Sequence, residues 1–214
     1  YKPSNSCSWE IIKDILDIHR PGENNTVSFI LQTLVSIYDE LSRTAGYNKI
    51  LDILKMQGKR NQVQSILNGV PLSDVITPSN YFLTSLDFFL LSNEFNIPLI
   101  LLCRTKIPSL FSQYASFLKH ESQGCYIIFA GGFSNTETNN SPNYGILSKS
   151  ESLQLSIADM GDSFEQITKL NITTLDSFIK RTTLAKTLAK QKKPKVKVKL
   201  GPRVKKIKTK VKLG

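Results

Sequence analysis

The chain has 214 residues, which is enough for one domain with a hydrophobic core and an additional segment. No apolar run reaches the roughly 18–20 residues that a membrane-spanning helix needs, so the sequence predicts no membrane span. It has three widely spaced cysteines, two isolated histidines and no Cys-x-x-Cys, which argues against a disulfide framework and against a zinc site. This usage favours a reducing, cytoplasmic setting, and no metal or other cofactor is predicted. Because the chain begins with Tyr1 rather than Met, we expect it to be a region of a larger protein.

The net charge of +11 is distributed very unevenly along the chain. Residues 180–214 contain 15 Lys or Arg and no Asp or Glu. That leaves 28 − 15 = 13 basic residues against all 17 acidic ones in residues 1–179, a net charge of −4. Such an asymmetry predicts two parts with different roles, a folded domain over residues 1–179 and a Lys-rich segment over residues 180–214.

Helical periodicity dominates the first third of the chain. Apolar residues recur at helical spacing in four stretches, residues 9–19, 26–41, Tyr47–Met56 and 62–67. The stretch 58–61 is polar and predicts a break between the last two of these helices. Residues 70–78 contain two prolines, so we expect them to be extended.

The densest apolar segment, residues 80–103, combines two periodicities. Residues 82–95 predict a helix capped by Ser79 or Asn80, and Pro98 prevents its continuation. Residues 97–103 are an unbroken apolar run, typical of a strand buried on both faces. A helix that leads directly into a buried strand indicates an α/β core. We therefore expect the following side chains to be almost fully buried: Leu86, Phe89, Leu90, Ile100 and Leu101.

The rest of the domain is predicted to complete a small sheet. Residues 125–130 predict a second strand that Gly131-Gly132 ends, and a polar loop follows it over residues 133–142. Further strands are predicted at 144–147 and 153–157, further helices at 163–170 and 174–188, and a helical or looped stretch at 108–117. The fold class is therefore α/β, with a small mixed sheet flanked by helices.

The C-terminal segment is of low complexity, because residues 197–201 and 210–214 both read KVKLG. Lysine alternates there with Val, Ile or Leu, so an extended chain would place lysines on one side and aliphatic residues on the other. Repelling charges and little apolar surface predict a disordered or extended segment. Lysines without interleaved aromatics neutralise phosphates but do not read bases, so we expect binding to nucleic acid or to an acidic protein surface without sequence specificity. The predicted binding residues are Lys186, Lys190, Lys192, Lys193, Lys195, Lys197, Lys199, Arg203, Lys205, Lys206, Lys208, Lys210 and Lys212.

Motifs of catalysis are absent from the sequence: it has no P-loop, no Rossmann glycine pattern and no Gly-x-Ser-x-Gly. His19 and His120 are interpreted as surface residues. Cys103 and Cys125 lie in apolar strand-like runs and are predicted to be buried and inert, whereas Cys7 is expected to react at an ordinary rate. No catalytic residue is predicted.

Three segments carry a resemblance to a known family. They are TSLDFFLLSNEFNIPLILL at 84–102, CYIIF at 125–129 and PNYGIL at 142–147. Together with a helix that begins at a cysteine, this order resembles ovarian-tumour (OTU) type cysteine proteases. It is also similar to OTU-like regions in proteins of large cytoplasmic DNA viruses. The resemblance implies an OTU-like fold. With the Lys-, Asn- and Ile-rich composition it implies a viral protein of the host cytoplasm, the nucleus or the virion.

The departures from the family pattern imply that the domain is not an enzyme. The resemblance places the nucleophile at a helix start near residues 22–29, where this chain has no cysteine. It places the histidine at Asn143, and an amide cannot accept the proton of a thiol. Two other functions stay open, in both of which the folded domain has protein partners. One is a scaffold whose Lys-rich segment lies across acidic protein surfaces, and the other is a cysteine deubiquitinase that uses Cys7 and His120.

Overall fold

The structure is a computed structural model of the chain. It describes residues 6–103, 114–119, 123–133, 142–149, 152–161, 166–167 and 169–191. Most of the predicted polar loop 133–142 and of the stretch 108–117 falls outside these ranges. Half of the predicted helix 163–170 is described, and its residues 166–167 are helical.

Six helices precede the sheet in the described part of the chain. They are α1 (Cys7–His19), α2 (Val27–Ser42), α3 (Tyr47–Met56), α4 (Arg60–Leu67), α5 (Leu72–Val75) and α6 (Ser85–Glu94). A seventh described helix, α7 (Leu175–Gln191), follows the sheet. The helical periodicity of the sequence therefore predicted α1 to α4 and α6 correctly, within a few residues at their ends.

The sheet is small and mixed, as the sequence predicted. Its strands are β1 (Leu99–Cys103), β2 (Tyr114–Phe117), β3 (Gly124–Phe133), β4 (Pro142–Ile146) and β5 (Leu155–Ser156). The main path runs β2-β1-β3-β4, in which β1 and β3 are parallel and the other two pairings are antiparallel. The short β5 pairs with the beginning of β3, and a 3-10 helix (Ile157–Met160) follows it.

Side chains cover both faces of the central strands. On one face, Leu99, Leu101 and Ile128 belong to a large cluster that also contains the buried sides of α1, α2, α3 and α6. On the other face, Ile100 and Ile127 form a smaller cluster with Leu118 and Cys125, against which Leu155 and Met160 pack. The five core residues predicted from the sequence are all buried. The helix–strand unit 82–103 is therefore the centre of the fold, as predicted.

Two predictions about the first half of the chain were wrong. Residues 70–78 are not all extended, because α5 forms within them directly after Pro71, whose missing N–H is tolerated at a helix start. Helix α6 is capped by Thr84 rather than by Ser79 or Asn80. Thr84 and Asp87 form a reciprocal capping box. The prediction had considered only the polar residues that directly follow Pro78.

Two predictions about strands also need correction. The end of the stretch 108–117 is neither helical nor looped, because Tyr114–Phe117 pairs antiparallel with β1. Gly131-Gly132 does not end β3, which continues to Phe133 after a register shift between Ala130 and Gly132. A bulge of this kind lets the strand pass the glycines while pairing continues.

Helix α7 passes through the predicted boundary between residues 179 and 180. Its Phe178 is buried, with its ring centroid 5.2 Å from that of Phe89 and 6.3 Å from that of Phe117. One turn later Thr182 is also buried, and the Arg181 guanidinium donates to the Leu170 carbonyl at 2.6 Å. The Lys-rich segment therefore begins as the continuation of a helix that packs on the core. Within the described residues, no helix is both long and apolar enough to cross a membrane.

The buried leucines of the central unit should carry a large share of the stability. We expect Leu86→Ala and Leu101→Ala each to lower the free energy of unfolding by about 2–5 kcal/mol, because each leaves a cavity in the core. Leu184→Ala on α7 is the matched control, since that side chain is 60% exposed and its truncation should change little. Equilibrium denaturant unfolding measures all three, and a loss at the core sites as small as at Leu184 would contradict this description of the core.

Candidate functional site

A polar cluster lies inside the helical layer, at the start of α6. Its centre is Asp87, which is fully buried, and beside it lies Lys59, whose exposed fraction is only 1%. The two side chains form an ion pair. Two buried tyrosines, Tyr38 and Tyr81, complete the cluster on the other side of the carboxylate. We refer to Lys59, Asp87, Tyr38, Tyr81 and Thr84 as the Asp87 cluster.

Five donor atoms surround the Asp87 carboxylate, one of them the Thr84 hydroxyl 2.8 Å from Oδ2. Its Oδ1 accepts from the hydroxyls of Tyr38 at 2.7 Å and Tyr81 at 2.8 Å. Its Oδ2 accepts from the ammonium of Lys59 and from the backbone N–H of Thr84 at 2.6 Å. A carboxylate has about four lone-pair positions, so this arrangement uses its acceptor capacity. A buried charge is tolerated when it is paired and hydrogen-bonded in this way.

A turn at the end of α3 directs Lys59 into the core. The N–H of Lys59 donates to the Leu54 carbonyl and that of Gly58 to the Lys55 carbonyl, both bonds of a Schellman motif. Gly58 occupies the left-handed region with φ of 93°, where a residue with a Cβ is strained. The ammonium of Lys59 then lies 3.5 Å from the centroid of the Tyr81 ring, close enough for a cation–π interaction.

Burial controls the protonation of the cluster. Desolvation lowers the pKa of Lys59 to about 8, although the charge of Asp87 and its hydrogen bond act in the opposite direction. Desolvation and the negative charge of Asp87 raise the pKa of both Tyr38 and Tyr81 well above the usual value. The tyrosines therefore stay protonated as donors at neutral pH.

The Asp87 cluster joins separate parts of the helical layer and does not reach a surface. Tyr38 belongs to α2, Lys59 to the turn between α3 and α4, and Asp87 to α6. From the same turn, Gln57 donates to the Ser85 hydroxyl at 3.1 Å. Because all of these side chains are buried, a substrate cannot contact them. The chemistry of this arrangement is therefore the stabilisation of the fold, not catalysis.

The helix start where the resemblance places the nucleophile is the beginning of α2. Thr26 caps this helix by accepting a hydrogen bond from the Phe29 N–H at 3.2 Å. An open groove beside it is lined by Glu23, Asn24, Thr26, Ser28, Phe29 and Gln32. The groove has neither a thiol nor an imidazole in its lining, so it lacks the groups that a cysteine protease needs.

The helix that packs against β4 is α1, not α2. Asn143 lies exposed on β4, and α1 contacts this strand while α2 packs on α1, α5 and α6. The thiol at the start of the helix beside Asn143 is therefore Cys7, the first residue of α1. The side chain of Cys7 is only 2% exposed, which contradicts its expected ordinary reactivity.

Of the two histidines, His19 lies in the described part of the chain. His19 ends α1 and lies at the opposite end of that helix from Cys7, about 18 Å away along the helix axis. Its ring packs edge-on against Tyr126, with centroids 5.8 Å apart. His120 lies outside the described residues. Of the pair that would make a protease, the described part of the chain therefore contains only Cys7.

Two of the predicted phosphate-binding residues, Lys186 and Lys190, fall within the backbone of α7. The others, from Lys192 to Lys212, lie outside the described residues, so their role stays a prediction. Arg181, which the prediction did not include, is held by the Leu170 carbonyl. In the described part of the chain, no group of three His, Cys, Asp or Glu side chains has an arrangement that could hold a metal ion.

The Asp87 cluster was not predicted from the sequence. Lys59 was interpreted as part of a polar break, because Lys, Arg and Asn follow Gly58. Two signals could have identified it. Asp87 is an acidic residue inside the densest apolar segment, where an unpaired charge is very costly. Gly58 also follows a predicted helix, and the residue after a C-terminal glycine commonly turns back toward the core.

Comparisons of the chain with protein-family profiles, with curated proteins and with solved structures gave no match. The function proposed below therefore depends on the chain's own residues.

Removing one partner of the buried ion pair should destabilise the domain strongly. We expect Lys59→Met to lower the free energy of unfolding by about 3–5 kcal/mol, because it leaves the Asp87 charge buried without its counterion. Arg43→Met is the matched control. It removes an ion pair with Asp39 on the exposed face of α2, where Arg43 is 75% exposed, so it should cost at most about 1 kcal/mol. Equal losses in the two variants, measured by denaturant unfolding, would mean that Lys59 is not buried against Asp87.

All three thiols should react slowly in the folded protein. Cys7 and Cys125 are buried, and burial raises the pKa of Cys125 and of half-buried Cys103 to about 11. A pKa two units above the usual value reduces the thiolate at neutral pH roughly hundredfold. Iodoacetamide labelling followed by mass spectrometry should therefore show slow modification at all three sites, and rapid modification in denaturant. Labelling of Cys7 as fast in the folded protein as in denaturant would contradict its burial.

Proposed function

We propose that this chain is a non-catalytic α/β module, OTU-like by resemblance, whose Lys-rich C-terminal segment binds nucleic acid or another polyanion without sequence specificity. The single observation that supports the proposal most is the separation of charge. The 15 basic residues of 180–214 face no acidic residue within their segment, whereas residues 1–179 carry a net charge of −4. A segment of this kind attracts phosphates by counterion release.

The connection between the two parts supports this division of roles. Helix α7 contributes Phe178 and Thr182 to the interior of the domain, while Leu184 beyond them is 60% exposed. The helix thus leaves the core between its second and third turns. The lysines that follow the helix have no acidic residue within their own segment, which leaves them available to a polyanion.

The composition of the segment supports binding without base recognition. Sequence is read mainly by Arg, Asn and Gln side chains that make paired hydrogen bonds to base edges in the major groove. Residues 192–214 contain one arginine, no asparagine and no glutamine. They also contain no aromatic side chain on which bases could stack. Phosphate neutralisation by lysine is the interaction that remains.

The competing functions are distinguished by particular residues. A scaffold would use the aliphatic half of the alternating pattern as well as the lysines. A cysteine deubiquitinase would need the Cys7 thiolate and an imidazole within hydrogen-bond reach. The burial of Cys7, the distance of His19 and the amide of Asn143 all argue against this activity.

The affinity for duplex DNA should depend steeply on salt. If seven or eight of the lysines contact phosphates, log affinity should fall with log salt at a slope of about −6 to −7. Mixed-sequence and A·T-rich duplexes should bind within a few-fold of each other. Fluorescence anisotropy over a salt series measures both quantities. Strong discrimination between the two duplexes, or binding that persists at molar salt, would rule out this mode of binding.

The module should not react with a ubiquitin-based covalent probe. The reason is that no described imidazole lies near the start of α1, where Cys7 is buried. Incubation with a ubiquitin vinyl probe and with linked ubiquitin chains at neutral pH should give neither an adduct nor cleavage. A Cys7 adduct that disappears in His120→Ala but persists in His19→Ala would establish the protease instead, and would overturn the non-catalytic assignment independently of DNA binding.

A further inference from the structure

The outer edge of β4 can accept another strand. This strand ends the path β2-β1-β3-β4, and within the described residues its one strand neighbour is β3. The N–H of Leu147 donates to the Ile127 carbonyl at 2.9 Å, which shows which residues face β3. Because backbone groups alternate along an antiparallel strand, Tyr144 and Ile146 direct their N–H and C=O groups away from β3. An edge of this kind is a template for strand addition.

An apolar strip lies beside this edge on one face of the sheet. Phe129 is 39% exposed, and its partner on β4 is Gly145, which has no side chain to cover it. Leu147, just past the end of β4, is 44% exposed on the same face. The face therefore has room and apolar surface for side chains of an added strand, next to the smaller core cluster around Ile127.

The other face of β4 is covered by a helix of acidic composition. Helix α1 packs against β4, and it carries Glu10, Asp14 and Asp17 against the single base Lys13. Three acids less one base give the helix a net charge of −2, with His19 neutral. A strand added beside β4 would therefore meet an apolar strip on one face and a negatively charged helix on the other.

We propose that residues 206–213 of the same chain pair with the outer edge of β4. This segment lies outside the described residues, and its sequence alternates with the period of a strand. Ile207, Val211 and Leu213 share one side, with Thr209 between them, and four lysines share the other. The aliphatic side matches the strip of Phe129 and Leu147, and the lysine side matches α1. Main-chain hydrogen bonds would provide affinity and the alternating side chains would provide the register.

The connection to the proposed strand is long compared with the width of the sheet. Helix α7 ends at Gln191, so residues 192–205 connect it to the proposed strand. Fourteen extended residues span up to about 46–50 Å. The whole path from β2 to β4 covers three strand spacings, about 14 Å. The earlier repeat, residues 195–200, has only a three-residue connection and is less able to reach β4. In the docked state the four lysines of residues 206–213 would face α1, so docking and the proposed polyanion binding would compete for them.

Amide hydrogen exchange of the full chain, measured by NMR at low salt without polyanion, tests the proposal. We expect the outward N–H groups of Tyr144 and Ile146 to exchange slowly. The triple variant Ile207→Asn, Val211→Asn, Leu213→Asn keeps every charge and should accelerate their exchange by at least about tenfold. The matched control places the same change in the earlier repeat, Val196→Asn, Val198→Asn, Leu200→Asn, and should leave the exchange unchanged.

Three results would overturn the proposal. The two amides could exchange rapidly in the unmodified chain, or both triple variants could have the same effect. Protection that grows with protein concentration would instead assign the strand to a second copy. Since polyanion binding is measured separately by its salt dependence, failure of the docking and failure of the proposed function give different results.

Discussion

The buried pair of Lys59 and Asp87 is the interaction on which the helical layer depends. Asp87 fixes the first turn of α6, since its carboxylate and the Thr84 backbone form the capping box. The same carboxylate binds Tyr38 of α2 and, through Lys59, the turn that ends α3. Three helices therefore share one charged centre, and a change at that centre alters all of them. Apolar packing around it excludes water, which makes each of these hydrogen bonds costly to lose.

This charged centre and the Lys-rich segment use lysine in opposite ways. Lys59 is desolvated, held by one carboxylate and one aromatic ring, and fixed in a single position. The lysines of the C-terminal segment have no acidic neighbours in sequence, and the proposed function assigns them to phosphates. Helix α7 connects the two environments, because Phe178 belongs to the core while the helix continues into the segment. The basic residues of the segment therefore follow a helix whose first turns belong to the core of the acidic part of the chain.

Periodicity predicted much of the fold, because it reports directly which side of an element is buried. The central helix and strand, with buried Leu86 and Ile100, follow from helical spacing and an unbroken apolar run. Pairing between distant residues is not recorded in such patterns. The Tyr114–Phe117 strand became evident only from its partner β1, and the burial of Lys59 only from its contact with Asp87. The charge of the C-terminal segment was evident from composition alone, whereas the position of α1 beside β4 required the packing of the whole domain.

The pH dependence of unfolding tests the buried pair most directly. The pKa of Lys59 is about 8 in the fold and 10.5 when exposed, so the unfolded chain binds more protons between these values and the free energy of unfolding rises with pH. The raised pKa values of Cys103 and Cys125 make the free energy of unfolding fall as pH rises. A Lys59→Met, Asp87→Asn reference protein keeps both cysteines, so it has the same contribution from them. Subtracting the reference from the unmodified protein should therefore leave a difference that increases from about pH 8 to pH 9.5. A difference that stays flat or falls over this range would contradict a desolvated Lys59 paired with Asp87.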